Sequence, residues 1–105
     1  MHTVHASVQL ALAEACSAEY LLRTFKDVDA DVLVVVRRVQ AKFKKLVKGR
    51  IFSKAHTPPD EIRKFSEILA SKGMAIIAVA VDIVDGAGIL AMSAVVEWFI
   101  QKPKR

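Results

Sequence analysis

The stretch TPPDEIRKFSEILASKGMAIIAVAVDIV, residues 57–84, constrains the fold more than any other part of the chain. Thr57 and Asp60 have the T-x-x-D spacing of a capping box, and Pro58 suits a first helical position, where its missing N–H costs nothing. Ile62, Phe65, Ile68 and Leu69 make one apolar face. Gly73 supplies the left-handed residue that ends a helix. The run that follows is apolar on both alternating faces, the pattern of a strand covered on both sides in a parallel sheet. Helix, glycine and doubly apolar strand form the second half of a βαβ unit. VLVVV, residues 32–36, is its expected first strand, because four of its five residues are β-branched. The fold class expected is α/β: a small single domain over residues 1–105, a short sheet with a parallel βαβ unit packed by helices. An all-α helical bundle is the alternative.

Two further helices are expected. Val4, Val8, Ala11, Ala15, Ala18, Leu22 and Phe25 recur at steps of three and four in an alanine-rich stretch, and KDVDAD, residues 26–31, ends it. Residues 88–101 are nearly all apolar, with Ser93, Glu97 and Gln101 as a single polar line. A helix so narrowly wetted needs cover, so a self-interface is expected there, anchored by Trp98 and Phe99, and the protein is expected to be a homo-oligomer. The stretch 28–48 reads in two ways. It is either a strand followed by a helix, or one helix capped by Asp29 or Asp31 and running to Gly49 with Val28, Val32, Val35, Val39, Phe43 and Leu46 on one face.

A hydrophobic content of 53% allows a packed core in 105 residues. Cys16 stands alone, which suits a reducing, cytoplasmic setting, and the N-terminal residues show no signal-peptide pattern. Residues 74–100 are long enough to raise a membrane span, but Asp82 and Asp85 near the middle each cost about 2.5–3.5 kcal/mol, which cancels the gain from the aliphatic residues.

Fragments that suggest chemistry are few. DGAGILA, residues 85–91, contains G-x-G-x-x-A, but two nearby carboxylates would repel a pyrophosphate, so a plain strand-to-helix turn is expected. Asp82 and Asp85 lack a third ligand, and His2 and His5 lie beside the initiator Met, so no metal is expected. No cofactor motif is present. Cys16 has no basic neighbour to lower its pKa and reads as a small core residue. With no nucleophile, base and oxyanion site together, binding is expected ahead of catalysis. The alternatives are a membrane-associated or structural/assembly protein using the apolar 74–100 segment, or a minimal or degenerate α/β enzyme working at the 82–88 turn.

DADVLVVVRR (29–38) and the segment from Asp60 to Phe99 resemble the later part of a serine-recombinase catalytic domain: a strand followed by basic residues, a helix ending in Lys-Gly, a strand, and a small-residue turn into a long apolar helix. No N-terminal strand with a nucleophilic serine and no D-R-x-x-R stretch accompany them. The resemblance therefore implies a related fold without recombinase chemistry.

The remaining feature is charge. Residues 37–54, RRVQAKFKKLVKGRIFSK, hold eight cations and no acid, so the net +5 of the chain leaves −3 on the other 87 residues. Surface helices usually mix signs, and a one-signed run points to an anionic partner. Arg37, Arg38, Lys42, Lys44, Lys45, Lys48, Arg50 and Lys54 are expected to contact DNA or RNA phosphates, with Phe43 and Phe52 stacking on bases. An anionic membrane surface is the second polyanion considered.

Overall fold

The computed structural model describes the backbone of residues 3–4, 6–25, 32–45 and 47–103, and the side chains of 9–25, 32–45 and 49–103. In chain order the elements are β1 (Thr3–Val4), α1 (Ala6–Thr24), β2 (Leu33–Phe43), β3 (Val47–Lys48), β4 (Ile51–His56), α2 (Pro59–Lys72), β5 (Met74–Asp85) and β6 (Leu90–Gln101). β1 and β3 make a small antiparallel pair. The other four strands form one sheet in the order β2-β6-β5-β4.

The α/β class holds, but every strand pairing in this sheet is antiparallel. The expected parallel βαβ unit is therefore corrected. β5 does follow α2 through Gly73, whose φ of 78° and N–H bond to Leu69 O (2.9 Å) close the helix as expected. What misleads is the composition of β5. Ala75, Ile77, Val79, Val81 and Ile83 point to the helices and are buried, while Met74 and Ile76 on the opposite face are apolar yet exposed. An antiparallel strand with an apolar outer face looks like a strand covered on both sides.

Residues 88–101 are the second arm of a hairpin, not a helix. A polar line at i, i+4 and i+8 fits a period of two as well as one of 3.6, and Ser93, Glu97 and Gln101 share the outer face of β6. The inner row of β6 (Met92, Ala94, Val96, Trp98, Ile100) faces the matching row of β5, and these ten side chains form most of the core. Among the described residues no helix is long and apolar enough to cross a membrane. Within the stretch 28–48, residues Leu33–Phe43 form a strand longer than expected, and among the described residues no helix runs to Gly49. The recombinase-like reading of 60–99 fails at the same point, since the apolar element after the turn is an antiparallel strand.

α1 lies across β4, β5 and β6, and α2 packs on β5. The buried stripe of α1 is Gln9, Ala13, Ser17 and Leu21, at steps of four, whereas Ala11, Ala15 and Leu22 face solvent. The expected stripe is therefore right at Ala18 and Phe25, which pack against the core, and wrong at Ala11, Ala15 and Leu22. Alanines are compatible with either side, and two polar residues made the true stripe look wet. Ser17 is accommodated because its hydroxyl donates to Glu14 O (2.8 Å) and accepts from Trp98 Nε1 (3.0 Å). Thr57 does not cap α2: Pro58 holds the cap position, and the Thr57 hydroxyl donates to Ala78 O at 3.0 Å, tying the loop to β5. His2, His5, Val28, Asp29, Asp31, Leu46 and the 26–31 stretch lie outside the described residues, as do the side chains of Val4 and Val8.

Candidate functional site

The last turns of α1, the face of α2 and the ends of β2 and β6 line a partly open apolar cavity of about 490 Å³. Its walls include Ala18, Leu21, Phe25, Val34, Phe65 and Trp98. Phe25 and Phe65 meet at a 5.0 Å centroid distance and a 55° tilt. The volume falls in the roughly 300–1,000 Å³ range of small-molecule pockets. Its lining carries no charged side chain, so it suits a hydrocarbon.

A carboxylate lies on α1, one turn before the wall residue Ala18. Glu14 is four residues before Ala18 on α1, hence one turn away on the same side of the helix, about 6 Å along the axis. It is half-buried, and among the described residues its carboxylate has no hydrogen bond or ion pair. The other half-buried acids are placed differently. Glu97 is paired with Arg37 (Oε1 to Nη1, 2.6 Å). Asp85 is consumed by the hairpin turn. Asp82 lies on the opposite face of the sheet, in register with Lys54 on β4 and Ser93 on β6, and Lys42 of β2 completes that row.

The 82–88 turn is thus a structural device. Asp85 Oδ1 accepts the N–H groups of Ala87 and Ile89, both at 2.9 Å, and Oδ2 is ion-paired with Lys45. The hydrogen bond from Lys45, then those from Ile89 and Ala87, hold the carboxyl below its ordinary value against the opposing effect of burial. Asp82 and Asp85 point to opposite faces of β5, so they do not act as a pair. The G-x-G-x-x-A fragment closes a hairpin, with Gly88 at φ 82°, and opens no helix.

Among the described residues the basic run does not form one surface. Arg37, Arg38 and Lys42 belong to β2 and Lys54 to β4, the two opposite edges of the sheet; Lys44, Lys45 and Arg50 lie in the connection and Lys48 in β3. Arg37 and Lys45 are neutralised by acids from β6 and the β5–β6 turn. The missing acids are supplied across strands, where local sequence does not show them. Phe43 and Phe52 are both exposed, but they sit at opposite edges and on opposite faces, so they build no common stacking platform. Trp98 faces the helices and is buried, while Phe99 is half-buried on the outer face. The residues missed from sequence are Glu14 and the cavity wall. The signal available was the Gln9, Ala13, Ser17, Leu21 spacing, which orients α1 and so places Glu14 and Ala18.

No protein-family model matches the chain, and no curated protein is significantly similar to it in sequence. Two solved structures share its fold. One is a Pseudomonas aeruginosa protein of unknown function described as a probable thioesterase: TM-score 0.80, 18% identity, over 96% of this chain and 66% of that one. The other is a Chlorobaculum tepidum protein of unknown function: TM-score 0.80, 20% identity, over 96% of this chain and 68% of that one. The chain thus spans about two thirds of the length of each. The expected nucleic-acid-binding function does not survive these findings, since neither structure that shares the fold is described as binding nucleic acid and the cations are split between two edges.

Proposed function

We propose that the protein is a small α/β enzyme that hydrolyses acyl thioesters, a hot-dog thioesterase in which α1 lies across the antiparallel sheet. The observation that carries this reading is the placement of Glu14 one helical turn from Ala18, itself a wall residue of the apolar cavity. The description of the Pseudomonas aeruginosa neighbour as a probable thioesterase supports the same chemistry. The cavity takes the acyl chain and positions the thioester carbonyl near the carboxylate. Glu14 accepts a proton from water as the oxygen attacks the carbonyl carbon. The tetrahedral intermediate then collapses with cleavage of the C–S bond, and the proton returns to the departing sulfur. A free carboxylic acid and a thiol are released.

The test is a thiol-release assay with coenzyme A thioesters from acetyl to palmitoyl, on the wild type and on Glu14→Gln. Turnover in the wild type, lost by a factor of at least about 10² in Glu14→Gln with an unchanged circular dichroism spectrum, is the expected result. Equal rates in the two proteins, or no turnover with any chain length, would refute the proposal.

A further inference from the structure

We infer that the outer face of the sheet docks on a lipid surface with anionic headgroups, through Leu33, Val35, Met74, Ile76 and Phe99. The strand register sets these residues side by side. Leu33 and Met74 flank Gln101, and Val35 and Ile76 flank Phe99, so two successive rows cross β2, β6 and β5. Strand spacings make the patch about 10 Å wide, with its rows about 7 Å apart. Leu33, Val35, Met74 and Ile76 each keep 45–53% of their surface in solvent, although Ala75, Ile77 and Ile100 behind them are buried. Neighbouring apolar side chains left open together mark a place where a protein meets another surface.

The charges specify which surface. The row next to the patch holds Arg38, Glu97 and Ala78, and the bulged Arg37 turns its guanidinium onto Glu97 at 2.6 Å. Glu97 is thereby neutralised, while Arg38 is exposed and has no acid partner among the described residues. At the other end the exposed Lys72 and Lys102 meet at Gly73, whose carbonyl accepts the Lys102 N–H at 2.7 Å, just outside Met74 and Gln101. The patch therefore has cations at both ends. Among the described residues the outer face of the strands carries four cations, Arg37, Arg38, Lys42 and Lys54, against two acids, Glu97 and Asp82. The two helices on the other side carry five acids against four cations. An apolar centre with a cationic border, turned away from the more acidic layer, is complementary to a bilayer interface: the side chains enter the boundary and the cations meet phosphates.

A second copy stacked on this face fits less well. Two-fold stacking of aligned strands sets one cationic border on the other, and like charges brought together oppose association. The inference rests on the outer face alone and does not depend on the chemistry proposed for Glu14, whose cavity lies on the helix side.

The experiment is vesicle flotation of the full chain, with phosphatidylcholine alone and with an equimolar mixture of phosphatidylcholine and phosphatidylglycerol. Wild-type protein is expected to float with the anionic vesicles far more than with the neutral ones. It is expected to be released as salt is raised from about 0.1 to 1 M, where the Debye length drops from about 10 to 3 Å. Arg38→Gln is expected to lower the partition coefficient about fivefold, the effect of one cation near an anionic surface. Ile76→Gln is expected to lower it at least about tenfold. Lys64→Gln removes the same charge from the exposed side of α2 and is expected to leave partitioning unchanged. In a Cys16→Ala background, a polarity-sensitive dye on Ile76→Cys is expected to shift to the blue with anionic vesicles, and on Lys64→Cys it is not. No flotation with anionic vesicles at low salt overturns the inference. Equal losses in Arg38→Gln and Lys64→Gln do so as well, because binding would then follow net charge and not this face. A protein that ignores vesicles but self-associates in sedimentation, with Ile76→Gln monomeric, also overturns it and assigns the face to a second copy.

Discussion

The indole Nε1 of Trp98 donates to Ser17 Oγ at 3.0 Å, a buried hydrogen bond joining residues 81 positions apart. It fixes the rotation of α1 on the sheet, and with it the direction of every other side chain on the helix. Removing the acceptor leaves a buried N–H without a partner, at about 1–3 kcal/mol. Ser17→Ala is therefore expected to lower the melting temperature by roughly 4–8 °C per kcal/mol lost. In a Trp98→Phe background the same change is expected to cost much less. Thermal unfolding of the four proteins of this cycle measures the coupling, and additive losses would show that the bond contributes nothing.

The cavity makes a second prediction. Ala18 is its smallest side-chain wall on α1, so Ala18→Phe fills space that a substrate chain needs. On the proposed reading, the longest acyl thioester hydrolysed becomes shorter, while rates on acetyl thioesters stay within about threefold, because Glu14 is untouched. Chain-length profiles of kcat/KM for both proteins decide it. A uniform loss at all lengths would place the acyl chain elsewhere.

Some of this arrangement can be read from residues alone. The α2–Gly73–β5 succession is visible because capping prolines, a 3.6-residue apolar face and a terminal glycine agree with one another. Strand direction is not visible, because an apolar outer row on β5 copies the signature of a doubly covered strand. The helix expected at 88–101 fails for a simpler reason: spacings of four and eight belong to both periods. For the site the limit is physical. Glu14 becomes distinctive only once Ser17 and Trp98 orient α1, and that contact spans most of the chain. The basic run misleads for the same reason, since Arg37 and Lys45 find their acids at Glu97 and Asp85, 60 and 40 positions away.

Gly73 tests the helix-to-strand junction. Its φ is 78°, and a Cβ added there would meet nothing within 4 Å. Gly73→Ala therefore carries only the conformational cost of a left-handed alanine, about 1–2 kcal/mol. Gly73→Asn is expected to cost less, because asparagine tolerates this region. Urea unfolding of both variants checks the order; equal stability of Gly73→Ala and wild type would mean the junction relaxes.

Asp85 sets the acid limit of the hairpin. Lys45 and the Ile89 and Ala87 N–H groups favour the charged form, so its pKa in the folded chain lies below the ordinary 3.8. A depressed carboxyl contributes stability above its unfolded value and loses it as pH falls through the folded one. The contribution is thus fully present above about pH 5 and disappears progressively below pH 4. Asp85→Asn removes the charge while keeping an oxygen that accepts from the same two N–H groups. Its melting temperature is therefore expected to lie below that of the wild type at pH 7 and to converge with it at the acid end. Lys45→Gln is expected to reproduce part of the loss at pH 7, because it removes the largest of the three influences and leaves the turn hydrogen bonds in place. Melting curves from pH 2 to 7 for the three proteins make the comparison, and parallel curves would mean that the Asp85–Lys45 pair has no part in holding the turn.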